Sequence, residues 1–279
     1  MSTREGNDAS TRANAYALDN ASPEALARFP ALADAFDQGT QRHLAALGVA
    51  PGWRCLEVGG GGGSIARWLA QRVGPAGHVL VTDIDPQHLR FADVREVEVR
   101  IHDITVDPLP AASFDLVHAR LVLVHVRDRE RALANMIAAL KPGGWLIDEE
   151  FDSSVFPDPA RNPGETLLET HKALARTLDE QGVDRGFGRR LFGRLRAHGL
   201  DHVAAEGRTF MWPAGSPGPA MMRANYLQLR SQMIAAEYIT HAEFDRDIAS
   251  LDDPDFFMPS PVLWAAWGQR RQSAQDLHV

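Results

Sequence analysis

One cysteine, two lysines and three tyrosines among 279 residues are shortages, and each excludes something. A lone Cys55 permits no internal disulfide and no cysteine-built zinc cluster. It suits a reducing compartment, and its expected role is a small core hydrophobe. With Lys141 and Lys172 the only lysines, arginine carries nearly all the positive charge. The 29 basic residues stand against 37 acidic ones, a net charge of −8 that argues against nucleic acid or an anionic membrane as partner. No apolar run approaches membrane-spanning length. The opening MSTREGNDASTRANA lacks the apolar stretch of a secretory signal, so residues 1–20 are expected to be a flexible polar tail on a cytoplasmic protein. No metal site is expected.

What is present is 44% hydrophobic residues, enough for a substantial core, arranged as strands alternating with helices from about residue 30 to 151. Leu32, Phe36, Leu44 and Leu47 mark a leading helix, and Trp53 to Val58 a first strand. A helix carrying Ile65, Trp68, Leu69 and Val73 follows, then a strand from His78 to Thr82 and a short helix opening at Pro86. Val97, Val99 and Ile101 alternate with Glu98 and Arg100, as in an edge strand. Phe114 to His118, a helix on Leu133, Met136, Ile137 and Leu140, and Trp145 to Phe151 complete the series. Such a rhythm means right-handed crossovers and a parallel sheet.

Beyond residue 151 the rhythm changes. Helices are expected over Asn162 to Gln181 and Arg190 to His198, a strand over His202 to Trp212, a breaker over Pro213 to Pro219, a helical face on Met222, Tyr226, Leu229 and Met233, and a last strand near Val262 to Trp267. The expected organisation is a core over residues 21–151, with residues 152–279 completing the sheet and supplying lid insertions at 152–187 and 213–260.

In "CLEVGGGGGSIARWLA", five consecutive glycines sit between the first strand and its helix, preceded by Glu57. Such a turn lies where open α/β sheets bind ligands, and bare glycine lets main chain approach one closely. A triphosphate loop would need a Gly-Lys-Ser/Thr ending, and Gly63 is followed by Ser64-Ile65. A dinucleotide fingerprint fits only if forced onto Gly61, Gly63 and Ala66, and it leaves Glu57 without a role. S-adenosylmethionine has no phosphate and carries an ammonium group that an acidic residue suits.

Glu57-Val58-Gly59-Gly60-Gly61-Gly62-Gly63 resembles the first motif of the class I S-adenosylmethionine-dependent methyltransferases of small-molecule and natural-product type. "VLVTDIDPQHL", "IHDITVDPLP", "FDLVHARLVLVHV" and "LKPGGW" resemble that family's later motifs, in order. The resemblance implies a Rossmann-like α/β fold, a doubly wound, mostly parallel seven-stranded sheet with helical lid insertions. It also implies S-adenosyl-L-methionine as cofactor. Glu57, Gly59, Gly61 and Gly63 would approach its methionine and ribose, Asp83 would bind the ribose hydroxyls, and Ile84 would flank the adenine. Asp103 would accept from the adenine amino group with Ile104 beside it, Ala119 and Arg120 would border the cofactor, and Tyr16 would cover its methionine end. Local alternatives stay open: Asp83 or Asp85 could cap the helix at Pro86, with capping assigned to Asp85; Asp103 could make an Asx-turn; Tyr16 could belong to the tail. Asp115 reads as sheet support and His118 as a hydrogen-bonded core residue.

The implied reaction is in-line methyl transfer, dominated by proximity and alignment. His125 lies where related O-methyltransferases carry a histidine and is the first candidate for a general base, with Glu149 and Glu150 next. Met211, Met221, Met222, Met233 and Met258 fall in the later part, which favours a sizeable apolar acceptor such as a secondary metabolite, methylated on oxygen. A nicotinamide-dependent oxidoreductase and a non-catalytic methyltransferase-like binding protein are the alternatives. A homodimer is an open possibility.

Overall fold

The computed structural model describes Leu18, Asn20, residues 22–154 and residues 168–272. The leading helix, α1 (Pro23–Ala46), opens on Pro23 in its first turn, where a missing N–H costs nothing. Strand β1 (Arg54–Val58) runs into the glycines and α2 (Ser64–Val73), followed by β2 (His78–Asp83), β3 (Val97–Ile101) and β4 (Phe114–Arg120). Helix α3 (Arg129–Ala139) is capped by Asp128, whose side chain accepts from Arg131 N, and leads into β5 (Leu140–Asp152). After α4 (Glu169–Glu180) come α5 (Leu191–Ala197), β6 (Asp201–Arg208), β7 (Met211–Pro213), α6 (Pro217–Ala235), α7 (His241–Ser250), β8 (Phe257–Pro259) and β9 (Val262–Gln269).

The seven-stranded sheet has the order β3-β2-β1-β4-β5-β9-β6. Its first five strands are parallel, and β9 pairs antiparallel with both β5 and β6. This is the expected doubly wound, mostly parallel sheet, with β3 at one edge. Leu116 and Ile147 pack with α2 on one face, while Val117 and Leu146 pack with α3 and α5 on the other. A third apolar cluster joins Phe36 of α1 to Leu174 of α4, Tyr226 and Met233 of α6, and Phe244 of α7. Met221, Met222 and Met258 belong to it, whereas Met211 is 60% exposed.

Several local expectations change. No helix forms after Pro86. The Asp83 and Asp85 side chains accept from the main-chain N–H groups of Asp85 and Gln87, and such Asx-turns compete with helix. Asp85 therefore caps a turn. The strand expected over His202 to Trp212 is split, because Phe210 N donates to Ser260 Oγ at 2.9 Å and the chain leaves the large sheet for the β7–β8 pair. The expected breaker ends early, since Pro217 begins α6. The sequence reading passed over α7, although Thr240 and Glu243 form a capping box at its start.

Candidate active site

A cavity of about 660 Å³ opens beyond the carboxyl ends of β1, β2 and β4, and side chains of α1, α4 and α6 cover it. Glu57, Val58, Gly59 to Gly62, Asp83, Ile84, Asp103 and Ile104 line one part; Leu174, Leu178, Met221, Met222 and Asn225 line another. Arg120 and His125 also reach its wall.

The glycines have reasons of their own inside the fold. Gly59 and Gly61 sit at φ 69° and 52°, and a Cβ on Gly60 or Gly62 would lie 2.3 Å from Val81 Cγ1 or 2.9 Å from Phe29 Cβ. Gly63 serves the turn into α2 and does not line the cavity. The run alone therefore does not demand a ligand; what points to one is that Gly59 to Gly62 share a cavity with the carboxylates of Glu57, Asp83 and Asp103. Phe29 of α1, which sequence reading missed, packs on this loop and meets His88 edge-on at 5.4 Å. Its only sequence signal is its place three residues before Leu32 on the apolar stripe of α1.

Asp83 is nine-tenths or more buried at the end of β2. Its Oδ2 accepts from Gly61 N and its Oδ1 from Asp85 N, both at 3.0 Å, and burial lifts the carboxyl above its ordinary range despite these donors. Asp103 lines the cavity and makes the Asx-turn as well, its Oδ1 accepting from Thr105 N at 2.8 Å. Ala119 is fully buried on the opposite sheet face and does not line the cavity. Tyr16 lies outside the described residues.

Register places Glu57 of β1 beside His118 of β4, and the His118 Nδ1–H donates to Glu57 Oε2 at 2.6 Å. His118 Nε2 lies 3.6 Å from Glu149 Oε2. Burial opposes charge on this imidazole, yet Glu57 and Glu149 together push it up to about 9. Glu149 is fully buried behind the cavity wall, held by Thr40 Oγ1, by His43 Nδ1 at 3.2 Å and by Arg208 Nη2 at 3.3 Å. Burial works against its charge, but His118, His43 and Arg120 hold its carboxyl well below the usual range. Arg120 donates to Thr40 Oγ1 at 3.0 Å and Asp37 Oδ1 at 2.8 Å, tying α1 to the end of β4.

Glu150 points to the other sheet face. Its Oε1 accepts from Val122 N at 2.9 Å and Leu123 N at 2.6 Å, which pins the loop that carries His125. Neither Glu149 nor Glu150 lines the cavity. His125 does, but burial, reinforced by Arg28 and Arg129, pushes its imidazole down to about 3. The ring is neutral at physiological pH and a weak acceptor of protons. His171, also in the wall and unremarked in the sequence, is pushed down to about 4 by burial and Arg185, and its ring meets Tyr226 Oη at 2.9 Å. Among the described residues, no group of three or more His, Cys, Asp or Glu side chains is placed to hold a metal ion, and no helix is long and apolar enough to cross a membrane.

Residues 56–148 match the methyltransferase domain family. The ubiquinone/menaquinone biosynthesis C-methyltransferase UbiE of Bordetella parapertussis is 37% identical over 115 residues, 39% of this chain and 45% of that protein. Methyltransferase str2 of Strobilurus tenacellus is 32% identical over 145 residues, 52% of each chain. The chain thus spans about half the length of the curated relatives it matches. Among solved structures, phosphoethanolamine N-methyltransferase 2 of Haemonchus contortus superposes with a TM-score of 0.55 at 16% identity, covering 85% of this chain and 53% of that one. That likeness is one of fold. The segment from β1 to β5, which supplies the glycine-lined wall of the cavity, is thus the part of the chain that matches the methyltransferase domain family.

Proposed function

We propose that this chain binds S-adenosylmethionine in the cavity and directs its methyl group to a small acceptor held under α4 and α6. The observation that carries this reading is the grouping of Glu57, Asp83 and Asp103, from the ends of three adjacent strands, with the bare main chain of Gly59 to Gly62 at one end of a 660 Å³ cavity. Two features fit the cofactor: carboxylate oxygens suit an ammonium and a diol, and the loop has no Cβ to stand off the ligand. Glu57 would hold the amino group, Asp83 the ribose, and Asp103 the adenine amino group between Ile84 and Ile104. The cofactor supplies an electrophilic methyl on a sulfonium.

The chain's own contribution is alignment and exclusion of water. Leu174, Met221 and Met222 present an apolar surface suited to a bulky acceptor. His125 would orient the acceptor as a neutral hydrogen-bonding ring, because an imidazole pushed down to about 3 takes up protons poorly near neutrality. The acceptor must then arrive with a nucleophile that needs little help, such as an acidic phenol or enol of secondary-metabolite type, methylated on oxygen. Methylation on carbon is the second reading, favoured by the name of the Bordetella relative.

Isothermal titration with S-adenosylhomocysteine and with NAD tests the cofactor. Binding of the first alone supports the reading, and binding of NAD alone overturns it in favour of an oxidoreductase. Incubation with phenolic and enolic acceptors should release S-adenosylhomocysteine, and the product's carbon spectrum separates methylation on oxygen from methylation on carbon. Cofactor binding without turnover on any acceptor would leave a binding protein.

A further inference from the structure

We propose that His118 is the positioning residue for the cavity's amino-group site: set between Glu57 and Glu149, it holds one oxygen of the Glu57 carboxylate and so fixes which oxygen faces the ligand. The inference rests on the cofactor reading above and assigns a role to a residue outside the cavity wall.

Glu57 is 4% exposed, and a carboxylate buried to that degree needs a cation or several donors to stay charged. Its Oε2 is committed to His118 Nδ1 at 2.6 Å, and among the described residues no side chain or main-chain N–H donates to Oε1. The carboxylate can therefore present Oε1 to the cavity it lines. Both ring nitrogens of His118 face carboxylates: Nδ1 donates to Glu57 on β1 at 2.6 Å, while Nε2 lies 3.6 Å from Glu149 on β5, too far for a hydrogen bond, and two anions on either side of the ring favour the imidazolium. The clamp is braced from behind. Glu149 is gripped by Thr40 and His43 of α1 and by Arg208 of β6, and the His43 ring packs, tilted by 37°, against Trp267 of β9 with 5.3 Å between ring centres.

Other charges around the ring are Arg120 on its own strand, Asp37 of α1, Glu206 of β6 and Asp148 on the far face of β5. Arg120 is paired with Asp37, and Glu206 pairs with His43 and Arg42 nearer the surface. His118 is thus the cation in direct contact with Glu57. Without it, the buried carboxylate would lose the side-chain donor that fixes its orientation.

The test compares two ligands by isothermal titration. S-adenosylhomocysteine carries the amino group, and 5′-methylthioadenosine lacks the aminoacyl end but keeps the nucleoside. Wild-type protein should prefer the first, and His118→Gln should shrink that preference at least tenfold while leaving methylthioadenosine affinity within about twofold. Glu57→Gln should shrink it as much, and the double variant should add nothing.

An unchanged preference in His118→Gln, or equal loss of both ligands, overturns the proposal while the cofactor reading stands. A wild type that binds neither ligand overturns both. If His118→Gln does not fold, imidazole ¹⁵N shifts of the wild type still decide: a doubly protonated His118 ring at pH 7 supports the clamp, and a neutral one refutes it.

Discussion

Glu149 and Glu150 are adjacent on β5, both fully buried, and they point to opposite faces of the sheet. On the α1 side, Glu149 is surrounded by Thr40, His43, His118 and Arg208, and its carboxyl is held well below the usual range. On the α3 side, Glu150 has two main-chain amides for one oxygen and Asp148 two residues away, and burial drives it well above that range. Asp148 is itself pushed up to about 8, by burial and the nearby Glu149. One face is a charge network, and on the other burial disfavours charge on both carboxyls. The same residue type on the same strand is pushed in opposite directions because partners, not burial, differ.

The largest expected effect breaks that symmetry directly. Glu149→Gln removes the anion from a buried network and should cost about 3 kcal/mol in urea unfolding at pH 7. Glu150→Gln swaps a carboxyl whose charge burial disfavours for a neutral amide that can still accept from Val122 and Leu123, and should cost less than about 1 kcal/mol. Equal costs would show that both carboxyls are charged.

Next comes pH. The Asp148 carboxyl has its folded value raised above the unfolded one, so native protein holds a proton that the unfolded chain releases. Its contribution to stability falls as pH rises from about 4 toward about 8. Asp148→Asn should therefore gain on the wild type by about 2 kcal/mol between pH 5 and pH 7. His118 is also raised, so its stabilisation is complete below about 6.5 and fades as pH climbs through about 9. A decline in that upper window should persist in Asp148→Asn, and its absence would argue that His118 is not charged.

The cavity repeats the contrast. Asp83, with two amide donors, lines the cavity, and Asp83→Ala should weaken S-adenosylhomocysteine by about 2 to 3 kcal/mol, roughly fifty-fold, in a titration. His125 sits in surroundings that strip its proton, so His125→Gln should lower turnover by less than about tenfold, and the wild-type rate should show no limb near pH 6.5. A hundredfold loss together with such a limb would restore His125 as a general base.

Much of the fold was legible because hydrophobic period and breakers act locally. The alternation from β1 to β5 and the edge position of β3 follow from patterns within a dozen residues. The helix after Pro86 was misread because two aspartates could serve either a cap or an Asx-turn, and only the loop's packing chose. The acidic residues and glycines of the motifs could be named from sequence. The depressed imidazole of His125 could not, since it depends first on burial by the folded chain and then on Arg28, almost a hundred residues earlier.

By itself the sequence determined the parallel core, the glycine turn with Glu57 ahead of it, and the order of acidic residues at successive strand ends. These are consequences of local propensity and of a motif contained within one stretch of chain. Only the tertiary structure decided that Glu57 meets His118, that Glu149 is bound into a charge network while burial disfavours charge on Glu150, and that α1 closes the cavity with Phe29 on the glycine loop. Ionisation and contact depend on what parallel strands and a covering helix bring together across distances of 61 and 106 residues, and no local pattern encodes that.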